Sequence, residues 1–151
     1  MASAVATEHI GSRIFLHSYD NDPGATTAVL AGPDGGTTIR TMDMHAYEYV
    51  GCLVKPNIVG GTGVTKVELV ASAVAAMTSV TVVKDSGTVA GDSLEDNVFL
   101  ECTAAEVAQL GATLRYVAAR VTHGTNTDES TVTYVGIPKA AYSGLTATAI
   151  T

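Results

Sequence analysis

The run Gly60-Gly61-Thr62-Gly63-Val64-Thr65-Lys66 comes nearest to a chemical motif by residue type and spacing. A glycine-rich loop carrying a lysine can cradle a phosphate, because backbone N–H groups and the ammonium converge on the anion. That geometry needs Gly-Lys-Ser/Thr opening a helix. Here Lys66 falls in an alternating, strand-like run with no helix after it, so a flexible inter-strand loop is expected instead. The histidines are His9, His17, His45 and His123, and none forms an i, i+4 pair or opens a His-Glu-x-x-His zinc motif. Their expected places are an arm, a strand end and two loops. A serine nucleophile needs an elbow such as Gly-x-Ser-x-Gly. Ser86-Gly87 and Ser143-Gly144 read only as turn dipeptides.

Carboxylates gather in loops: Asp20 and Asp22, then Asp92, Glu95 and Asp96, then Asp128 and Glu129. Loop carboxylates can bind Ca²⁺, but the Asp20-Asn21-Asp22 triplet lacks the glycine and distal glutamate of an EF-hand loop. Solvated turn residues are expected, with the acidic 92–97 loop also a partner contact in prospect. Tyr47, Tyr49, Tyr116 and Tyr134 alternate on strand-like runs, and such rings can stack bases or sugars. Without basic flanks the nucleic-acid version fails; packing, with each hydroxyl reaching an edge partner, is the expectation. Cys52 and Cys102 each sit in an apolar run. They read either as buried free thiols or as a cross-strand disulfide. Taken together these residues offer no catalytic, cofactor-binding or metal constellation, and the chain is read as a non-enzyme.

The elements that would position them are short strands between turn-rich loops. Strands are expected at 13–18, within 25–32, and at 37–42, 46–54, 64–71, 80–83, 98–102, 114–121 and 131–135. The segments 25–32 and 37–42 would form a hairpin around Gly32-Pro33-Asp34-Gly35-Gly36. In 46–54, Tyr47, Tyr49 and Leu53 share one face and Val50, Cys52 and Val54 the other, with Pro56 ending the strand. In 64–71, Val67, Leu69 and Ala71 oppose Lys66 and Glu68, which reads as half-buried. Ala73 to Met77 reads as a helical turn and His123 to Asp128 as a turn. One helix is expected over about 103–110, with Thr103 as N-cap, Glu106 as its capping-box partner and Gly111 as the stop. Crossover helices are missing, so the fold class is mainly β: an antiparallel β-sandwich or jelly roll with one short helix. The expected organisation is a flexible arm at 1–11, a single domain at 12–139 and an extended tail at 140–151.

Composition supports that class. In 151 residues there are 15 glycines, no tryptophan and an aromatic content of only 5%. Charged residues make up 15%, against about a quarter in an ordinary soluble domain. So little charge suggests a surface partly covered by other subunits. The net charge is −7, and the eight basic residues are scattered singly. Phosphate backbones need clustered Lys and Arg, so no nucleic acid is expected as a partner. Residues 1–8 lack the basic start of a secretion signal, and no run approaches the about 20 apolar residues that span a bilayer. A soluble protein made in a cytoplasm, with no membrane partner, is expected.

Four words in order carry a resemblance: Asp-Asn-Val-Phe-Leu-Glu-Cys-Thr-Ala-Ala-Glu-Val (96–107), Leu-Arg-Tyr-Val-Ala-Ala-Arg-Val (114–121), Thr-Val-Thr-Tyr-Val (131–135) and Tyr-Ser-Gly-Leu-Thr-Ala (142–147). They resemble small structural proteins of tailed-bacteriophage heads, of the capsid cement or decoration type. The resemblance implies a sandwich or jelly-roll virion protein, assembled in the bacterial host cytoplasm, that stabilises the shell through lattice contacts. It further implies the major capsid protein as partner and self-association, as a trimer at three-fold positions. No residue matches a capsid-contact motif, so none is carried over. The alternatives are another head-completion or tail protein, or a carbohydrate-binding sandwich using Tyr47 and Tyr49.

Overall fold

The computed structural model describes residues 15–21, 29–30 and 39–139. The expected arm (1–11) and tail (140–151) lie outside the described residues, as do His9, Asp22 and Ser143. The strands are β1 (Phe15–Asn21), β2 (Val29–Leu30), β3 (Met42–Asp43), β4 (Tyr47–Ile58), β5 (Val64–Ser72), β6 (Thr81–Asp85), β7 (Val98–Thr103), β8 (Tyr116–His123) and β9 (Glu129–Pro138). The helix α1 (Ala104–Leu110) follows β7 directly. One sheet runs β1-β9-β4-β7; the other runs β2-β8-β5-β6, with β3 also pairing β8, and every pairing is antiparallel.

Period-two alternation of small and β-branched residues builds the layers. Along β9, Ser130, Val132 and Tyr134 are buried while Thr131, Thr133 and Val135 stay partly exposed. Val50, Cys52, Val54, Cys102, Val132 and Tyr134 from one sheet meet Val64, Val67, Leu69, Ala71, Val117, Ala119 and Val121 from the other in one core. Two antiparallel sheets sharing one core make a β-sandwich. Burying each such Val or Leu contributes about 1.5–3 kcal/mol before chain entropy opposes it.

The helix closes one side, between the edge strands β6 and β7. Its capping box is the one legible in the sequence. Thr103 Oγ1 accepts from Glu106 N, and Glu106 Oε2 accepts from Thr103 N at 2.8 Å. Val107 enters the core, and Lys84 Nζ reaches Glu106 Oε1 at 2.6 Å, tying the helix to β6. Gly111 ends the helix in an extended conformation, φ 177.

Several expectations are corrected. Among the described residues the expected hairpin between 25–32 and 37–42 is not seen, its turn lying outside them: β2 and β3 both pair with β8, at Val121/Arg120 and at Val117/Tyr116 respectively. Between them Tyr134 reaches the β8 edge from the opposite sheet. Its hydroxyl accepts from Ala119 N at 2.6 Å and donates to the Arg40 carbonyl at 3.3 Å. Pro56 does not end β4, which continues to Ile58. Pairing with β7 has already stopped at Val54↔Val98, so Pro56 has a strand neighbour on one side only, where a missing N–H is tolerated. A register shift between Tyr47 and Tyr49 turns Tyr47 into the core, away from the face it was expected to share with Tyr49.

β5 is buried on both faces rather than half-buried. Val70 and Ala118 lie beneath Met77, and Glu68 is buried in an ion-pair chain with Arg120 (2.7 Å) and Lys66 (3.1 Å), which also holds Asp85 (2.8 Å). The Arg120 guanidinium, then Lys66, outweighs burial and holds the Glu68 carboxyl below its ordinary value. Residues 73–77 form turns, not a helical turn, closed by Met77 N donating to Val74 O with Met77 at φ 50. His123 belongs to β8 rather than to the following turn.

Candidate functional site

The glycine loop does bind an anion, but an internal one. Asp128 is completely buried, and its carboxylate accepts from the backbone N–H groups of Gly60 (2.7 Å), Gly61 (3.0 Å), Gly63 (3.0 Å) and Thr125 (2.7 Å). Burial alone would raise its pKa, but the donors from Thr125, Gly61 and Gly60 prevail and hold it below the ordinary value. Successive N–H groups of the loop converge as in a phosphate nest, with Asp128 in the anion's place. Gly63 is required there: its φ is 69, and a Cβ would meet the Gly91 carbonyl oxygen at 1.8 Å. The loop is therefore fixed rather than flexible, and Asp128 is no solvated turn residue. Lys66 takes no part, being committed to Glu68 and Asp85.

Beside this clasp, His123 Nε2 lies 3.1 Å from Ser130 Oγ. Asp128, His123 and Ser130 are the residue types of an acyl-transfer triad, and their proximity was not legible from the sequence. Ser130 and His123 are both buried, and both carboxylate oxygens of Asp128 are taken by backbone donors. A hydroxyl that no substrate can touch is not a nucleophile in this arrangement, and the group works as a polar core beneath two loops.

The other candidates disperse. His45 is exposed, with its N–H on Asp43 Oδ1, while His17 pairs with Tyr134 in the β1–β9 register. Ser86 stays in its turn, accepting from Val67 N and donating to the Gly87 carbonyl. Asp92 and Glu95 are exposed, and Asp96 accepts from Ser93 N. Cys52 stands opposite Leu100, and Cys102 opposite Val50, both as free buried thiols whose pKa values burial pushes up. Such diagonal neighbours sit about 7–8 Å apart, beyond the reach of a disulfide. Among the described residues no cluster of three or more His, Cys, Asp or Glu gathers as a metal site. No described helix is long and apolar enough to cross a membrane.

The tyrosines do not share a stripe. Tyr47 and Tyr134 are core residues, and Tyr116 lies under the Arg115 guanidinium at 5.0 Å. Tyr49 alone joins an accessible arrangement, on the outer face of the four-stranded sheet. There Gly51 pairs with Glu101 on β7 and Val135 on β9, and Leu53 pairs with Phe99 and Thr133. Phe99 is 51% exposed. Its ring leans across the bare backbone of Gly51, where a Cβ would meet Phe99 Cζ at 2.8 Å and Tyr49 Oη at 3.2 Å. The Tyr49 hydroxyl donates to Glu101 Oε2 at 2.6 Å. Burial, followed by the hydrogen bond to Glu101, pushes the phenol up to about 12. Leu53, Val135 and the exposed Ile137 extend this floor.

No family model, curated protein or solved structure matches the chain.

Proposed function

We propose that this protein is a structural virion component, a decoration-type protein that stabilises a phage capsid through lattice contacts. Support begins with the words at 96–107, 114–121, 131–135 and 142–147, which resemble small phage-head proteins. The observation that carries the reading is the outer face of the four-stranded sheet. Tyr49, Leu53, Phe99, Val135 and Ile137 form an apolar patch there, which shares the described part of the face with Glu101, Lys55 and the threonines Thr103, Thr131 and Thr133. Exposed apolar residues gathered on one face and rimmed by polar ones suit a contact surface. The low charge of the chain points the same way, since a lattice contact leaves less surface for water to solvate.

Incubation with undecorated heads followed by sedimentation tests the proposal. The expected result is saturable co-sedimentation at micromolar protein, weakened about tenfold or more by Phe99→Asp, which places a charge in an apolar contact. Full-length protein that stays in the supernatant at these concentrations overturns it.

A further inference from the structure

The floor formed by Phe99, Gly51 and Tyr49 has two acceptors directly against it. Tyr49 has given its only O–H proton to Glu101, so its oxygen is left as an acceptor. The Glu101 carboxylate accepts as well, is exposed, and forms no ion pair among the described residues. Lys84, whose field Glu101 shares, is committed to Glu106 at 2.6 Å. Lys55 is four residues along β4 from Gly51, about 13 Å in an extended strand. The centre of the face therefore combines an exposed ring with acceptors and a negative charge. A saccharide brings acceptors as well as donors, whereas the two polar groups against the ring, the Glu101 carboxylate and the Tyr49 oxygen, only accept. A guanidinium is planar, cationic and carries donors only, so it can stack on the Phe99 ring while two of its N–H groups engage Glu101 and the Tyr49 oxygen. Net charge of −7 favours the approach of such a group.

We propose that the Tyr49–Gly51–Phe99–Glu101 platform is the docking point for an arginine of the partner protein. The inference rests on the lattice-contact reading for the partner's identity, and on the geometry alone for the arginine.

The test is an NMR titration of the ¹⁵N-labelled full chain with acetyl-Gly-Gly-Arg-Gly-Gly-amide. Parallel titrations use the citrulline and lysine analogues and a neutral hexasaccharide. The expected result is amide shifts centred on Tyr49, Gly51, Phe99 and Glu101. Affinity should fall about tenfold for the citrulline peptide, which keeps the shape but loses the charge, and drop measurably for lysine, which loses the plane. Glu101→Gln and Phe99→Ala should each weaken the arginine peptide about fivefold or more; both sites are exposed, so the fold stands. Equal binding of citrulline or lysine, shifts spread over the acidic 92–96 loop instead, or a response to the saccharide alone each overturns the proposal. Sedimentation with heads separates the two readings. If wild type and Glu101→Lys sediment equally, the arginine site is wrong and the lattice role stands. If wild type fails to sediment, the lattice role is wrong, and the peptide titration still decides the arginine site.

Discussion

Four backbone N–H groups end on one carboxylate at Asp128, and removing its charge takes the ionic acceptor from the buried Gly63 N–H and from the part-buried donors of Gly60, Gly61 and Thr125. Asp128→Asn presents an amide NH₂ to N–H groups on one side of the clasp. It should lower unfolding free energy by about 3 kcal/mol, the range for breaking a buried charge-assisted network. Urea denaturation measures this, and a loss under about 1 kcal/mol would show that the loops hold without the clasp. Tyr134→Phe is the second residue-scale case. It removes the hydroxyl that accepts from the Ala119 N–H, and the same measurement should show a loss of about 1–3 kcal/mol. Neither role was legible in the sequence. Asp128 reads as one more loop carboxylate and Tyr134 as one more strand tyrosine, because their partners lie on distant segments that only folding brings near.

The helix was legible to the residue, since each of its determinants is local: a Thr cap, a Glu three positions on, a glycine after two turns. Thr103→Ala should cost about 1 kcal/mol of stability, read by thermal or urea unfolding. The pH dependence belongs to the same element. Contacts with Lys84 first, and then with the N–H and hydroxyl of Thr103, lower the Glu106 carboxyl from 4.5 to about 2. A depressed folded pKa contributes stability above the unfolded value and loses it as pH falls through the folded one. The stability gap between wild type and Glu106→Gln should thus be full above 4.5 and close near pH 2. A gap unchanged across that window would place the stabilisation elsewhere. β4 shows the opposite behaviour. Its interior face was readable from alternation, but the shift at Tyr47 and the continuation past Pro56 depend on where β9 and β7 lie alongside it.

At the scale of the molecule, the two thiols report on the sandwich as a whole. Cys52 and Cys102 are buried between the sheets, so in native buffer a thiol reagent should label neither at an appreciable rate. Both should react together on unfolding, in a single cooperative step. Mild oxidation should leave the mass of the folded chain unchanged, because bridging diagonal neighbours would require the backbone to move. Rapid labelling of one thiol under native conditions would indicate a local opening of the β4–β7 edge. The two outer faces differ as well. Met77, Val80, Ile39 and an ion-pair chain cover part of the five-stranded sheet and leave Val82 exposed beside Val70, whereas the opposite face leaves Phe99 and Ile137 in solvent. The proposed contact surface lies on the four-stranded sheet because there an exposed aromatic ring, Phe99, lies over the bare backbone of Gly51.

By itself the sequence determined the class of the fold, the helix and its caps, and most of the inward-facing residues. These follow from alternation, turn chemistry and capping, which act between residues a few positions apart. Only the tertiary structure decided that a phosphate-like loop holds its own aspartate, that two short strands share one edge, and that Tyr49, Phe99 and Glu101 converge over a glycine. Each of those depends on which strands become neighbours. Strand pairing is a long-range choice, and neighbours along the chain carry little information about it.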